Sequence, residues 1–75
     1  MKELLESIAR DLVDDPNQVT VNVVEGERTI IMELSVASED MGKVIGKEGR
    51  IAKAIRTVMN AASINEEKQV IVEIV

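Results

Sequence analysis

The chain contains no cysteine, no histidine and no aromatic residue. Without cysteine and histidine it cannot form a zinc finger, a disulfide framework, a haem attachment site or a Ser-His-Asp or Cys-His catalytic centre. Without Phe, Tyr and Trp it cannot stack nucleic-acid bases as RRM, OB-fold and cold-shock modules do. Its core must therefore be aliphatic, and several common classes of enzyme and nucleic-acid reader are excluded.

Long hydrophobic runs are also missing. No apolar stretch approaches the roughly 20 residues that a membrane-spanning helix needs. The acids and leucines that follow Met1 do not form a secretory signal. We therefore expect a cytoplasmic protein without a membrane span. The 75 residues suffice for one small domain, residues 1–75, and no residue pattern indicates a metal or another cofactor.

The charge is acidic overall but unevenly distributed. The formal net charge is −5 at pH 7, which argues against a nonspecific polyanion binder. Residues 1–40 carry a net charge of −7 and residues 65–75 a net charge of −2, whereas residues 41–64 carry +4. Five of the nine basic side chains fall within residues 43–56. A local basic patch on an acidic body can still bind phosphate groups.

The hydrophobic periodicity predicts the element order α-β-β-α-α-β. Apolar residues at helical spacing predict a first helix that ends before Pro16. Alternating apolar residues predict three strands, over residues 19–23, 30–36 and 70–74. A short helix with Ser38 as its N-cap runs to about Val44, and a longer one runs from about Gly49 to Ala62. This order predicts an α+β fold in which three helices pack on one face of a three-stranded sheet.

The longer helix is predicted to have a buried face and a basic face. At about 100° per residue, Arg50, Lys53 and Arg56 lie together on one side. The opposite side is apolar and predicts a core stripe of Ile51, Ile55, Val58, Met59 and Ala62. Because the basic face continues into a glycine turn, we interpret it as a binding surface rather than an ordinary solvated face.

The stretch from Val44 to Ile51 is the most informative part of the sequence. It reads Val-Ile-Gly-Lys-Glu-Gly-Arg-Ile, so that two glycines lie three positions apart between an apolar pair and a helix. A backbone with glycine at both ends of a tight turn can approach a ligand closely, because glycine has no β-carbon. The helix that Gly49 opens also presents N–H groups without intrahelical partners, which attract anions. These features predict a cradle for a nucleic-acid backbone.

This stretch, together with the chain length and the element order, resembles the K-homology (KH) domain family, whose signature is a helix–GxxG–helix unit. The element order is similar to the type II, or bacterial, KH arrangement. The resemblance implies a loop at Gly46–Gly49 that holds about four nucleotides of single-stranded RNA beside an aliphatic groove. The RNA-binding residues that it implies are Lys43, Val44, Ile45, Gly46, Lys47, Glu48, Gly49, Arg50, Ile51, Lys53 and Arg56.

The resemblance implies distinct roles within this set. Lys47 and Arg50 are expected to contact phosphates, and Lys43, Lys53 and Arg56 to form a supporting rim of positive charge. The expected floor of the aliphatic groove consists of Val44, Ile45 and Ile51. Burial in the core is the alternative role for these aliphatic side chains.

Two positions depart from the usual KH pattern. Glu48 places a negative charge within the loop, which is expected to temper the affinity for RNA. Ala52 stands where many KH domains have a larger aliphatic residue, so the groove or the helix packing is expected to be shallower. Neither departure removes the loop, and replacing Gly46 or Gly49 with Asp is expected to abolish binding while the chain stays folded.

Nucleotide-binding enzymes do not fit the glycine spacing. The interval from Gly42 to Gly46 is too short for a P-loop, and Glu48 stands where a magnesium-binding hydroxyl is required. The three glycines also do not form a GxGxxG dinucleotide fingerprint. The paired carboxylates of the chain lie at predicted turns, where solvated charges are ordinary. We therefore predict that the protein is not an enzyme.

Two other classes of function remain open. A helix-turn-helix DNA reader fits loosely, and it would depend on Lys53 and Arg56 at base edges. A protein-interaction module is the other, since the small side chains of Ala54, Thr57 and Ala61 would let a second helix approach closely. The KH resemblance implies a homodimer or a heterodimer with a larger KH-containing protein. It also implies a role as RNA chaperone or post-transcriptional regulator of cell elongation or division.

Overall fold

The computed structural model describes all 75 residues and has the predicted order of elements. The helices are α1 (Lys2–Leu12), α2 (Met41–Ile45) and α3 (Arg50–Ala62), and the strands are β1 (Thr20–Glu25), β2 (Thr29–Ser35) and β3 (Gln69–Ile74). Single turns of 3₁₀ helix lie at Pro16–Gln18, Ser38–Asp40 and Lys47–Gly49. None of the helices has the length and the apolar composition that crossing a membrane requires.

The three strands form one mixed sheet in the order β1-β2-β3. β1 and β2 form an antiparallel hairpin in which Val21 is paired with Leu34. β3 runs parallel to β2, with Val72 beside Met32, since the chain between these strands crosses over through α2 and α3. β2 is therefore central, and β1 and β3 each have a free edge.

The core lies between the helices and one face of the sheet, which confirms the predicted α+β architecture. Alternate residues of a strand point to the same face of the sheet, and here the alternating apolar residues form the face that packs against the helices. The buried cluster consists of Leu5, Ala9, Val19, Val21, Met32, Leu34, Val44, Ile55, Met59, Val70 and Val72. Every helix contributes to this aliphatic core, so the cluster sets where α2 and α3 lie.

The buried face of α3 differs from the predicted core stripe. Ala52, Ile55 and Met59 are buried, whereas Val58 is 46% exposed and Ala62 is also exposed. The periodicity placed Val58 in the core because it is apolar, but α3 is rotated so that Ala52 faces the core instead. A small side chain at this position lets α3 pack closely, which gives Ala52 a structural role.

Candidate nucleic-acid interface

The loop between α2 and α3 has a backbone conformation that L-residues rarely adopt. Gly46 has φ 76° and ψ 174°, and Gly49 has φ 75° and ψ 15°. Glu48 also has a positive φ, 57°, and it is the one non-glycine residue of the chain that does. A left-handed conformation costs an L-residue roughly 1–2 kcal/mol. Such strain persists where the surroundings impose it, commonly at ligand-binding sites.

The two glycines of the loop are required for different reasons. A β-carbon on Gly46 would lie 2.6 Å from Ile51 Cγ1 and 2.9 Å from the Ile51 backbone N. A β-carbon on Gly49 would meet no atom within 4 Å. Replacing Gly46 with Asp would therefore disturb the fold, contrary to the expectation from the sequence. Gly49, in contrast, leaves open space beside the loop in which a ligand can approach.

Three cations near the loop have no acidic partner. Lys47, Arg50 and Lys53 are exposed, and none of them takes part in an ion pair. Arg50 and Lys53 are neighbours on the surface of α3 because they lie three residues apart. No side chain caps the N-terminus of α3, and the Arg50 N–H donates to the Lys47 carbonyl within the loop. Unpaired positive charge at the N-terminus of a helix suits an anion such as a phosphate.

Arg56 links α3 to the free edge of β3. The Gln69 N–H donates to the carbonyl of Arg28, just before β2, and the Val75 N–H donates to the carbonyl of Leu34 within β2. In a parallel ladder alternate residues of a strand bond to the same neighbour, so Val70, Val72 and Ile74 direct their N–H and C=O groups away from β2. Val72 is one of these residues, and its carbonyl accepts a hydrogen bond from Arg56 Nε at 3.2 Å. The Arg56 guanidinium thus lies beside an unpaired strand edge, with further N–H donors to offer.

The ammonium group of Lys43 is shared between two carboxylates. Its Nζ lies 2.8 Å from Asp14 Oδ2 and 3.4 Å from Asp40 Oδ1. The hydrogen bond to Asp14 raises the pKa of Lys43, and the bond to Asp40 adds to this effect, although burial opposes it. Lys43, which the sequence predicts in the rim of positive charge, is thus already paired with two carboxylates.

The aliphatic side chains near the loop do not form a common floor. Val44 is fully buried, so it has the alternative role, packing in the core. Ile45 is 36% exposed beside the loop. Ile51 is half-buried and faces α1, about 140° around α3 from Arg56. The structure therefore brings Ile45 to the surface near the loop and separates Ile51 from the face that carries Arg56.

An apolar groove of about 470 Å³ lies between α1 and α3. We call it the α1–α3 groove. Its lining consists of Leu4, Ile8, Leu12, Arg50, Ile51, Ala54, Ile55 and Val58. Arg50 is the single polar residue among them. The sequence prediction missed this groove because it assigned Val58 to the core. The sequence did carry an indication of the groove. Leu4, Ile8 and Leu12 give α1 an apolar stripe that is wider than the part of the helix buried in the core.

Comparison with protein families and with curated sequences gives a consistent result. A family model described as the KH domain of KhpA/KhpB matches residues 2–74. The chain is 65% identical to the RNA-binding protein KhpA of Clostridium acetobutylicum and 67% identical to that of Clostridium perfringens. It is 60% identical to the RNA-binding protein KhpA of Caldanaerobacter subterraneus. Each of these similarities covers the whole of both chains.

Comparison with solved structures supports the fold. The chain is similar to part of Era from Aquifex aeolicus bound to GDP.AlF4⁻, with a TM-score of 0.65 and 20% identity. It is also similar to part of Era in complex with MgGDPNP and nucleotides 1506–1542 of 16S ribosomal RNA, with a TM-score of 0.66 and 20% identity. Each similarity covers 97% of this chain but 28% of the Era chain. At this level of identity the likeness concerns the fold alone.

Proposed function

The chain belongs to the KhpA/KhpB family of KH domains, and from this premise we propose that it binds single-stranded RNA at the loop from Gly46 to Gly49. One observation supports this proposal above the others. The left-handed loop meets the uncapped N-terminus of α3 at the point where Lys47 and Arg50 carry positive charge without acidic partners. A KH domain holds about four nucleotides at its GxxG loop, and this combination suits their phosphates.

The contacts follow from the positions of the side chains. Lys47 and Arg50 bind phosphate oxygens, and Gly49 lets the RNA backbone approach the loop without meeting a side chain. Lys53 extends the positive charge along the exposed face of α3. An RNA strand that follows this face toward β3 reaches Arg56, whose free N–H donors can bind base edges. Ile45 supplies an exposed aliphatic contact beside the loop.

The biological role rests on this binding. The family is one of RNA-binding proteins, and the chain is not an enzyme. We propose residues 1–75 as one KH domain that acts in the cytoplasm on single-stranded RNA. A role as RNA chaperone or post-transcriptional regulator of cell elongation or division would require no chemistry beyond such binding. The helix-turn-helix alternative loses its support, because α2 has only five residues and too little length to cross a DNA backbone.

Charge reversal tests the proposed RNA contact. Fluorescence anisotropy with a labelled pool of short single-stranded RNA of mixed sequence measures the affinity of wild type and variants. Lys47→Glu is expected to weaken binding by about tenfold or more, because it removes one phosphate contact and adds a repulsion. Lys2→Glu makes the same change of net charge on α1 and is the matched control. Equal losses for both variants would show nonspecific attraction instead of a site at the loop.

A second function, pairing with another KH domain, is favoured by the α1–α3 groove. Leu4, Leu12 and Val58 line the groove and are exposed, although burying them would be favourable. In a two-fold arrangement the α1 of each copy would face the α3 of the other. α3 carries three basic and no acidic side chains, whereas α1 carries three acidic and two basic ones, so the two helices have net charges of opposite sign. The occupant that we propose is therefore a second copy or the KH domain of a larger partner.

Sedimentation velocity tests the proposed pairing. Val58→Glu places a charge in the α1–α3 groove and is expected to convert a dimer to a monomer without unfolding, because Val58 is not part of the core. Ile64→Glu makes the same chemical change at a residue that is 81% exposed and outside the groove. A wild-type protein that stays monomeric at high concentration would overturn pairing with a second copy, and a dimer that Val58→Glu leaves intact would overturn the role of the α1–α3 groove.

A further inference from the structure

Asp40 is the one buried polar or charged residue of the protein, with 2% of its surface exposed. It occupies the N-cap position of α2, but its carboxylate makes no capping hydrogen bond to that helix. An aspartate at an N-cap usually accepts an N–H from the first turn of its own helix. Ser38, the predicted cap, does not supply this bond either, since its Oγ donates to Glu39 Oε1 at 3.2 Å. α2 thus begins without a side-chain cap, and the N–H of its first residue, Met41, donates to the Ser38 carbonyl of the preceding 3₁₀ turn.

The Asp40 carboxylate binds a part of the chain that is distant in sequence. Oδ2 accepts the backbone N–H of Asp15, 25 residues earlier, at 3.1 Å. Oδ1 lies 3.4 Å from Lys43 Nζ, which also binds Asp14 Oδ2 at 2.8 Å. We call Asp14, Asp40, Lys43 and the Asp15 N–H the carboxylate brace. It joins the segment between α1 and β1 to the start of α2.

The position of α2 depends on such contacts. A helix of five residues is far too short to be stable alone. Asp40 and Val44 lie four residues apart on the same side, and both are buried. Val44 anchors α2 in the apolar core, and Asp40 anchors its beginning to the brace. One anchor would let α2 pivot about the contact, whereas two anchors fix the direction of its axis.

The RNA-binding loop is tied directly to the other end of α2. The Gly46 N–H donates to the Gly42 carbonyl at 2.9 Å, and the Gly49 N–H donates to the Gly46 carbonyl at 3.1 Å. Gly46 lies six residues beyond Asp40, or about 9 Å at the helical rise. A rotation of α2 at its start would therefore displace the loop relative to α3.

We propose that Asp40 is a positioning residue for RNA binding: through the carboxylate brace it sets the direction of α2 and so the place of the Gly46–Gly49 loop. This proposal rests on the proposed RNA-binding function. Lys43 then acts within the brace rather than on RNA, which explains why a basic residue beside the loop is paired with two acids. Replacing Asp40 therefore lowers the RNA affinity by a larger factor than it lowers the fraction of folded protein.

Three variants separate positioning from stability. Asp40→Ala removes the brace, Asp40→Asn retains an acceptor for the Asp15 N–H, and Val21→Ala opens a cavity in the core beneath β1. Far-UV circular dichroism defines a temperature at which all three are fully folded. Amide hydrogen exchange, measured by NMR, then compares Gly46 and Gly49 with the amides of β2, and anisotropy with the mixed single-stranded RNA pool measures affinity.

The expected results differ between the variants. Asp40→Ala is expected to speed exchange at Gly46 and Gly49 about tenfold more than in β2, and to weaken RNA binding about tenfold, as the loss of a charged hydrogen bond allows. Asp40→Asn is expected to change both the exchange and the affinity less than Asp40→Ala does, because it retains an acceptor for the Asp15 N–H. Val21→Ala is expected to raise exchange evenly over the chain and to leave the affinity of the folded protein unchanged.

Two results would decide against the proposal or against its premise. If folded Asp40→Ala binds RNA as tightly as wild type, and its loop amides exchange no faster than those of β2, Asp40 contributes only to stability. If wild type does not bind RNA at all, the proposed function fails. In that case the exchange at Gly46 and Gly49 still decides whether Asp40 positions the loop.

Discussion

The side chain of Ile51 fills the space in which a β-carbon on Gly46 would lie, with Cγ1 2.6 Å from that point. This contact joins the first turn of α3 to the end of α2 and limits the arrangements of the loop between them. Ile51 also lines the α1–α3 groove. The geometry of the loop therefore depends on the packing of α1 against α3 as well as on the glycines.

The two glycines of the loop should differ in what their replacement costs. The φ and ψ of Gly46 fall in a region that only glycine populates, and a β-carbon there would also collide with Ile51. Gly46→Ala is therefore expected to lower the free energy of unfolding by about 2–4 kcal/mol. Gly49→Asn should cost less than about 1 kcal/mol, because Asn tolerates the left-handed region. Urea unfolding followed by far-UV circular dichroism measures both, and equal losses would contradict the packing of Ile51 against Gly46.

The salt dependence of RNA binding should report the phosphate contacts one by one. The logarithm of affinity falls with the logarithm of salt concentration, by about 0.7 for each contact with a single strand. Lys47→Gln and Arg50→Gln are each expected to reduce this slope by about 0.7. Lys2→Gln removes an exposed cation from α1 and should leave the slope unchanged. Anisotropy titrations at several salt concentrations provide the slopes, and a slope insensitive to Lys47 and Arg50 would remove them from the contact set.

Glu48 should weaken the binding of RNA that the rest of the loop favours. Its side chain is exposed and carries a negative charge next to Lys47. Glu48→Gln is expected to raise the affinity about two- to fivefold, the effect of losing a repulsion of roughly 0.5–1 kcal/mol at an exposed site. Glu27→Gln in the β1–β2 turn makes the same change of net charge as a control. A lower affinity for Glu48→Gln would show that the carboxylate itself contributes to binding.

The carboxylate brace should make stability depend on acid pH in a defined direction. Burial alone would raise the pKa of Asp40, but backbone hydrogen bonds at Asp15 and Asp14 and the ammonium of Lys43 hold that pKa below its ordinary value. A carboxylate with a lowered pKa stabilises the fold above its unfolded pKa, about 4. That stabilisation is lost as the pH falls through the lower pKa of the folded state.

The pH profile of Asp40→Asn tests this linkage. The difference in free energy of unfolding between wild type and Asp40→Asn is expected to be constant from about pH 5 to pH 7 and to shrink below about pH 4. Urea unfolding at a series of pH values measures it. Asp11→Asn, at an exposed residue of α1 without an ion pair, is the control. A difference that grows on acidification would contradict the lowered pKa.

The sequence predicts much of the fold because the apolar periodicity and the glycine positions determine local backbone structure without help from distant residues. The alternation in the strands and the helical spacing of Ile55 and Met59 predict which faces are buried. Gly46 and Gly49 mark the loop because few other residues adopt positive φ. Val58 was assigned incorrectly, since periodicity cannot tell whether an apolar stripe meets the sheet or a neighbouring helix. Here α3 packs beside α1, and the two leave the α1–α3 groove between them.

The carboxylate brace could not be predicted from local rules. Capping preferences favour Ser38 and leave Asp40 as an acidic residue of the first turn. The partner of Asp40 is instead the N–H of Asp15, brought near only when α1, the sheet and α2 have assembled. Lys43 belongs to the basic stretch of residues 43–56 in the sequence, whereas in the fold its ammonium lies between the carboxylates of Asp14 and Asp40.

An NMR titration of the isotope-labelled protein with the mixed pool of short single-stranded RNAs tests the proposed interface most directly. The expected shift changes include Gly46 to Lys53 and Arg56, with smaller changes at the free edge of β3 and none in β1. A folded protein without shift changes would contradict RNA binding by this domain. Changes confined to Leu4, Leu12 and Val58 would place the binding site in the α1–α3 groove instead of at the loop.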